Sequence, residues 1–191
     1  MRKIYLHEDD YCLIEILPVE NYDYCKKETA KIDDFSEEHK AEGGTGFTDV
    51  YIRGENPYPT KKLNIPFPKL CKALEAVCDN FDEITGCYGL SENTFAYGVD
   101  DNVVVFADYD NKSGEIENIW LNLNIETIEQ KRLAKKLFST LSAVSEFIVV
   151  DWGWSFISKL NDEAVINTYL DEREKVFSSI DEDLKELLDS E

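Results

Sequence analysis

Histidine, cationic side chains and long apolar runs are all scarce in this chain of 191 residues. A general base or a metal site usually needs histidine, and the sequence has only two. Twenty Lys and Arg face forty Asp and Glu, a formal net charge of −20. This balance disfavours a nucleic-acid binder, which presents a basic face to phosphates, and it equally disfavours docking on an anionic membrane. No run approaches the roughly 18 apolar residues that a membrane-spanning helix requires.

Cysteine pairs of the C-x-x-C type are also missing, which excludes zinc knuckles and thioredoxin-like redox motifs. The chain has an odd number of cysteines, at spacings that fit no disulfide framework, and its charged residues begin too early for a signal peptide. We therefore expect reduced thiols and a cytoplasmic protein. The five cysteines are Cys12, Cys25, Cys71, Cys78 and Cys87.

The composition that remains is that of a folded protein, because 43% of the residues are hydrophobic and the length suits one domain over residues 1–191. Apolar runs predict buried strands over 103–107 and 147–150, and a period of two predicts a half-buried strand over 119–125. Thr127 and Gln130 form a capping-box signature before a helix.

Weaker patterns complete the expected fold. Residues 3–6 and 11–17 are predicted to pair as a hairpin, and further strands are predicted over 47–53 and 154–160. Helices are predicted over 20–41, after Pro68, after the capping box and after Asn161, which can cap the last one. Strands in hairpins with inserted helices predict an α+β fold, a mostly antiparallel sheet of about seven strands with about four packed helices.

Sequence motifs for catalysis, cofactors or metals do not emerge, and we predict none of these sites. The run of His7, Glu8, Asp9 and Asp10 offers cation ligands, but adjacent residues rarely converge on one ion, so a solvated turn is expected. The segment 108–114 resembles a calcium loop but has lysine at its fifth position, and isoleucine at the twelfth where glutamate is required.

Asp151-Trp152-Gly153-Trp154 is the most distinctive local string. The two tryptophans could stack a ligand at the end of an apolar strand. Alternatively, they follow the alternation of the sheet and cap the core, with Gly153 forming a bulge, which is the interpretation we favour.

In size, acidity and the strand–helix pattern from Phe147 through Trp154 to Tyr169 and Leu170, the chain resembles the immunity proteins of bacterial polymorphic toxin and contact-dependent inhibition systems. The resemblance implies a protein that binds and neutralises a basic toxin domain, often a nuclease. A net charge of −20 would also accelerate association with a basic partner.

Two other classes remain open. One is a hydrolase-like enzyme with a site near Asp151, Trp152 and Trp154, and the other is an acidic mimic of nucleic acid. For the favoured class, we predict that the partner contacts acidic hairpin turns and the tryptophan rim. The predicted contact residues are Glu8, Asp9, Asp10, Asp108, Asp110, Glu115, Glu117, Trp152 and Trp154.

Overall fold

In the part of the chain that the structure describes, the strands form two sheets, against which four α-helices pack. The structure, a computed structural model, describes residues 1–7, 10–43, 46–86, 89–90 and 93–188, with only the backbone described at 89, 90 and 177–188. In these ranges the strands are β1 (Lys3–Leu6), β2 (Ile14–Pro18), β3 (Asp79–Asn80), β4 (Glu83–Gly86), β5 (Gly89–Leu90), β6 (Thr94–Gly98), β7 (Val103–Tyr109), β8 (Ile116–Leu123), β9 (Phe147–Asp151) and β10 (Phe156–Lys159). The α-helices are α1 (Tyr22–Glu38), α2 (Phe67–Glu75), α3 (Ile128–Val144) and α4 (Glu163–Leu188).

The larger sheet has seven strands in the order β10-β9-β2-β8-β7-β6-β3, and every neighbouring pair in it is antiparallel. The smaller sheet has the order β1-β4-β5, with β1 and β4 parallel. The predicted α+β class, with a mostly antiparallel sheet and four helices, is therefore confirmed.

One face of the larger sheet is covered by α2, α3 and the first part of α4. Alternate residues of each strand point to this side, as Phe147 and Val149 do on β9. The helices contribute Leu74, Leu137 and Tyr169 to the same apolar core.

The opposite face is covered in two places. The smaller sheet packs on it through Ile4 and Ile84, which meet Phe106 and Trp120. Helix α1 packs beside it, and its Cys25 lies in a separate apolar cluster. The larger sheet is thus buried on both faces, which explains the nearly continuous apolar runs of its central strands.

The helix starts follow local sequence signals. Thr127 and Gln130 form the predicted capping box at the start of α3. Pro68 occupies the first turn of α2, where its missing N–H costs no helical hydrogen bond. The last helix is capped by Asp162 rather than by Asn161, because Oδ1 of Asp162 accepts a hydrogen bond from Val165 N at 3.3 Å.

Two strand predictions are wrong. Residues 3–6 and 11–17 do not form a hairpin, because β1 pairs with β4 in the smaller sheet while β2 lies between β9 and β8 in the larger one. Every residue of β2 is buried, as suits a central strand. Residues 47–53 form no strand, although Phe47 makes an isolated antiparallel bridge with Lys40. In the described ranges, no helix is both long enough and apolar enough to cross a bilayer.

Candidate functional site

The first acidic turn is only partly covered by the structure, because Glu8 and Asp9 lie outside the described residues. Asp10 is half-buried, and its backbone N–H donates to the carbonyl of His7 at 3.1 Å. Its own carbonyl accepts from Leu13 N at 3.3 Å. Asp10 therefore begins the turn that leads into β2.

The second acidic turn, between β7 and β8, is held by a lysine from a distant part of the chain. Lys61 Nζ pairs with the carboxylates of Asp110 and Glu117. Asp110 also accepts hydrogen bonds from the backbone N–H groups of Lys112 and Ser113, which is the geometry of an Asx turn. The hydrogen bond from Lys61, with the two backbone bonds, lowers the pKa of Asp110 to about 2. These two carboxylates are already engaged within the molecule.

Asp108 lies at the base of the same turn and faces inward. It accepts hydrogen bonds from Thr94 Oγ1 at 2.5 Å and from the Tyr11 hydroxyl at 3.3 Å, so the residue that follows Asp10 contacts the second turn. Burial raises the pKa of Asp108 above its ordinary value. Glu115 is half-buried, and its backbone bridges to Pro66. This second turn therefore offers a partner fewer free charges than its sequence indicates.

The two tryptophans lie on opposite faces of the larger sheet. Trp152 is buried on the α1 side, where its Nε1–H donates to Glu15 Oε2 at 2.7 Å and the Arg53 guanidinium lies 4.1 Å from the ring centroid. Trp154 is 38% exposed on the other side, where Arg173 lies 4.7 Å from the ring centroid. Because the rings are separated by the sheet, they do not form one stacking site.

Asp151, the acid of the same string, is buried and fully hydrogen-bonded. Its Oδ1 accepts from the backbone N–H groups of Gly153 and Trp154, at 3.1 and 3.2 Å. Its Oδ2 accepts from the Tyr169 hydroxyl at 2.7 Å and pairs with Arg173. With only 1% of its surface exposed, this carboxylate anchors α4 to the end of β9 and has no access to a substrate.

An open cleft of about 280 Å³ lies beside Trp152. Its floor includes Arg53, which pairs with buried Glu15 at 2.9 Å. Burial raises the pKa of the Cys12 thiol in this cleft to about 12, with a further contribution from the Glu15 carboxylate. A thiol with this pKa stays protonated at neutral pH and is a poor nucleophile. The cleft is lined by Tyr11, Cys12, Leu13, Ile32, Tyr51, Arg53, Trp152 and Gly153.

Metal-binding chemistry finds no support in the part of the chain that the structure describes. No three side chains of histidine, cysteine, aspartate or glutamate are grouped there so as to hold an ion.

Sequence reasoning missed a charged surface on α1. The lysines of this helix, Lys26, Lys27 and Lys31, all come before residue 32, so the rest of the helix carries only negative charge and the last turn has no basic residue. This order opposes the helix dipole, whose C-terminus favours cations. The exposed acids of this half are Asp33, Asp34, Glu37 and Glu38.

The acids of α1 also repel one another. Asp33 and Glu37, like Asp34 and Glu38, are four residues apart and lie on one side of the helix, where like charges destabilise it. Asp33 accepts a hydrogen bond from Ser155. The other three carboxylates form no ion pair with any residue in the described ranges. The charge order along residues 26–38 was the sequence signal that could have revealed this surface.

An exposed apolar segment runs back along the same helix. Thr48 N donates to the carbonyl of His39 at 2.8 Å, and the Tyr24 hydroxyl donates to the carbonyl of Gly54 at 3.3 Å, so the segment is antiparallel to α1. Its outer side chains are unusually exposed: 63% for Phe47, 78% for Val50 and 87% for Ile52. We call this region the acidic–apolar surface, comprising Asp34, Glu38, Phe47, Val50 and Ile52.

Comparison with known proteins finds no relative: no protein-family model matches the chain, and no curated protein or solved structure matches it significantly.

Proposed function

We propose that the chain is a protein-binding module for a basic protein partner, and that the acidic–apolar surface is its main contact. The observation that carries this proposal is that unpaired acids at the C-terminal end of α1, where the helix dipole favours cations, lie near exposed Phe47, Val50 and Ile52. Both features reduce the stability of the free protein, since like charges repel and apolar side chains contact water. A partner with basic and apolar groups would compensate both.

Charged and apolar side chains contribute to different steps of binding at such a surface. Long-range attraction to a net charge of −20 accelerates encounter with a basic protein. Apolar side chains such as Phe47 and Ile52 then supply most of the affinity once water is excluded from them. The immunity class suggested by the sequence fits this chemistry, with a basic toxin domain as the partner.

The rival classes receive less support. A hydrolase near Asp151 would need an accessible acid or base, whereas this carboxylate is buried and fully hydrogen-bonded. An acidic mimic of nucleic acid needs only carboxylates at its surface, so it leaves the exposure of Val50 and Ile52 without a use. We therefore retain the basic protein partner, and place the contact on α1 and the segment beside it in addition to the predicted turns.

The experiment begins with affinity capture at low salt, followed by purification of the captured protein and measurement of its association rate. The test variant reverses the charge of Asp34 and Glu38 to lysine. Its control carries the same net change at two exposed acids elsewhere, Asp101→Lys and Glu126→Lys.

We expect the test variant to associate about tenfold more slowly than the parent at low salt, and the control to stay within about twofold. The difference should shrink as salt increases, since the Debye length is about 8 Å at physiological ionic strength. Equal slowing of both variants would show that only net charge matters and would remove this surface as the contact. A captured protein that is acidic, with a flat salt response, would refute the proposal itself.

The immunity role has its own test with the captured protein. Expressed alone in bacteria it should arrest growth, and co-expression of the parent chain should restore growth. Co-expression of the reversed variant should restore growth less well at equal protein level. A captured protein without toxicity would reject the immunity class while leaving the binding measurement as it stands.

A further inference from the structure

The segment 49–55 has the sequence of a strand without the pairing of one. The composition of 47–53 predicts a strand, yet within the described ranges the only bridge there is between Phe47 and Lys40, and 49–55 forms no backbone–backbone hydrogen bond. Two of its backbone groups bond to side chains, the Val50 N–H to Asp49 and the Gly54 carbonyl to Tyr24. A chain with β-prone residues and unpaired backbone groups is a template for a further strand.

One side of the segment is firmly anchored. The Tyr51 hydroxyl donates to Glu28 at 2.7 Å, and Arg53 pairs with Glu15 at 2.9 Å. Val50 and Ile52 lie between and beside these anchors and are exposed. Alternation of anchored and exposed side chains with a period of two is the pattern of an extended chain.

The anchors also indicate which edge of the backbone is open. Thr48 N and the carbonyl of Gly54 both bond toward α1. The chain bends at residues 48 and 49, so the direction is counted back from Gly54. In an extended chain, backbone groups of alternate residues point the same way, so those of Tyr51 and Arg53 point away from the side that Gly54 turns to α1. Their N–H groups have no acceptor among the residues that the structure describes.

We propose, resting on the proposed function, that the segment 49–55 is a docking edge that pairs with a β-strand of the basic partner. Main-chain hydrogen bonds would give affinity, and the outward side chains of Val50 and Ile52 would contact alternate side chains of the added strand.

Charge decides between the possible occupants of this edge. The segment is flanked by exposed Asp49 and Glu55, and the acids of α1 lie beside it. Proteins use charge on open edges to prevent self-pairing, and two copies of a chain with net charge −20 repel each other. A strand that carries lysine or arginine experiences attraction instead. The occupant is therefore a basic strand of another protein.

The test uses a synthetic peptide of about ten residues in which lysine alternates with valine. Its control has the same sequence with each valine N-methylated, which keeps the charge but removes ladder donors on one edge. We expect the parent peptide to bind about tenfold more tightly than the methylated one, the effect of losing a few backbone hydrogen bonds. It should also slow hydrogen exchange at the Tyr51 and Arg53 amides.

A backbone substitution in the protein provides a matched pair. Replacing Tyr51 by its α-hydroxy acid exchanges the N–H for an ester oxygen and keeps the phenol. We expect this change to weaken the peptide about tenfold. The same exchange at Ile52, whose backbone faces α1, should have little effect.

Three results would overturn the inference. Equal binding of the two peptides without amide protection would show electrostatic attraction alone, which leaves the proposed function intact. Equal effects of the Tyr51 and Ile52 esters would reject the open edge. Protection of Tyr51 that rises with protein concentration in the absence of peptide would show that a second copy occupies the edge. Failure of the proposed function would instead appear as capture of an acidic protein whose association does not respond to salt.

Discussion

Replacing Arg53 by methionine should destabilise the protein by about 2–4 kcal/mol. The Glu15 carboxylate has 5% of its surface exposed, and Arg53 Nη2 lies 2.9 Å from its Oε2. Removing one partner of a buried ion pair costs about 3–5 kcal/mol, because the remaining charge is left without compensation. The Arg53 side chain is 24% exposed, so water reaches the pair and the expected loss is somewhat smaller.

The pH dependence of this loss identifies its cause. Burial raises the pKa of Glu15, while Arg53 and the Trp152 N–H lower it in part. Without Arg53 the pKa rises further. A carboxyl group whose folded pKa exceeds its unfolded value destabilises the protein above the folded pKa, and the penalty disappears as pH falls below the unfolded pKa of about 4.3. The deficit of the variant should therefore shrink between pH 7 and pH 4.5.

Urea unfolding followed by tryptophan fluorescence measures both effects, since Trp152 lies under the guanidinium. The double variant Glu15→Gln/Arg53→Met should recover more than half of the loss, because glutamine is neutral and still accepts the Trp152 N–H. A deficit below about 1 kcal/mol would refute the buried-pair argument. So would a deficit independent of pH, or a double variant as unstable as Arg53→Met alone.

Three further predictions concern the charged surface and the thiols. Glu37→Lys and Glu38→Lys should each raise the free energy of unfolding by about 0.3–1 kcal/mol, because cations suit the C-terminus of α1; unchanged or lower stability in urea would contradict this. Lys61→Met should raise the pKa of Asp110 from about 2 toward its ordinary value. A carboxyl with a lowered folded pKa contributes stability that is lost as pH falls through that pKa, so the variant should lose less stability than the parent between pH 4 and pH 2. Carbon-detected NMR titration measures the pKa, and circular dichroism measures the stability. Thiol titration should count five free groups in urea, whereas native Cys12, with its pKa raised to about 12, should react slowly at pH 8; fast native labelling of Cys12 would contradict the raised pKa.

The acidic residues show what a local sequence pattern can predict and what it cannot. That Asp110 lies in a turn followed from its neighbours, and the structure places it in an Asx turn. That its charge is neutralised by Lys61 did not follow, since the two residues are 49 positions apart in the chain. The acids of α1 are equally visible in the sequence. Only the fold shows that Asp34 and Glu38 form no ion pair within the described ranges and that an exposed apolar segment runs along the same helix.

Trp152 and Trp154 show the same limit within one short string. Their spacing of two residues is compatible with one shared site or with separate ones. Strand β9 ends at Asp151, so one ring packs with α1 on one face and the other lies beside α4 on the opposite face. The favoured interpretation has both rings capping the core, but only Trp152 is buried there, whereas Trp154 is 38% exposed. The chain turns after β9, so no bulge is formed at Gly153.

The sequence by itself determined the features that depend on near neighbours. The capping box at Thr127, the apolar strands β7 and β9 and the net charge all arise from residues within a few positions or from composition alone. Tertiary structure decided which strands pair. A strand propensity is satisfied only when another strand lies alongside, and no local pattern encodes that partner. For this reason β1 joined β4 across 80 residues, and the β-prone residues 47–53 remained without a ladder beside α1.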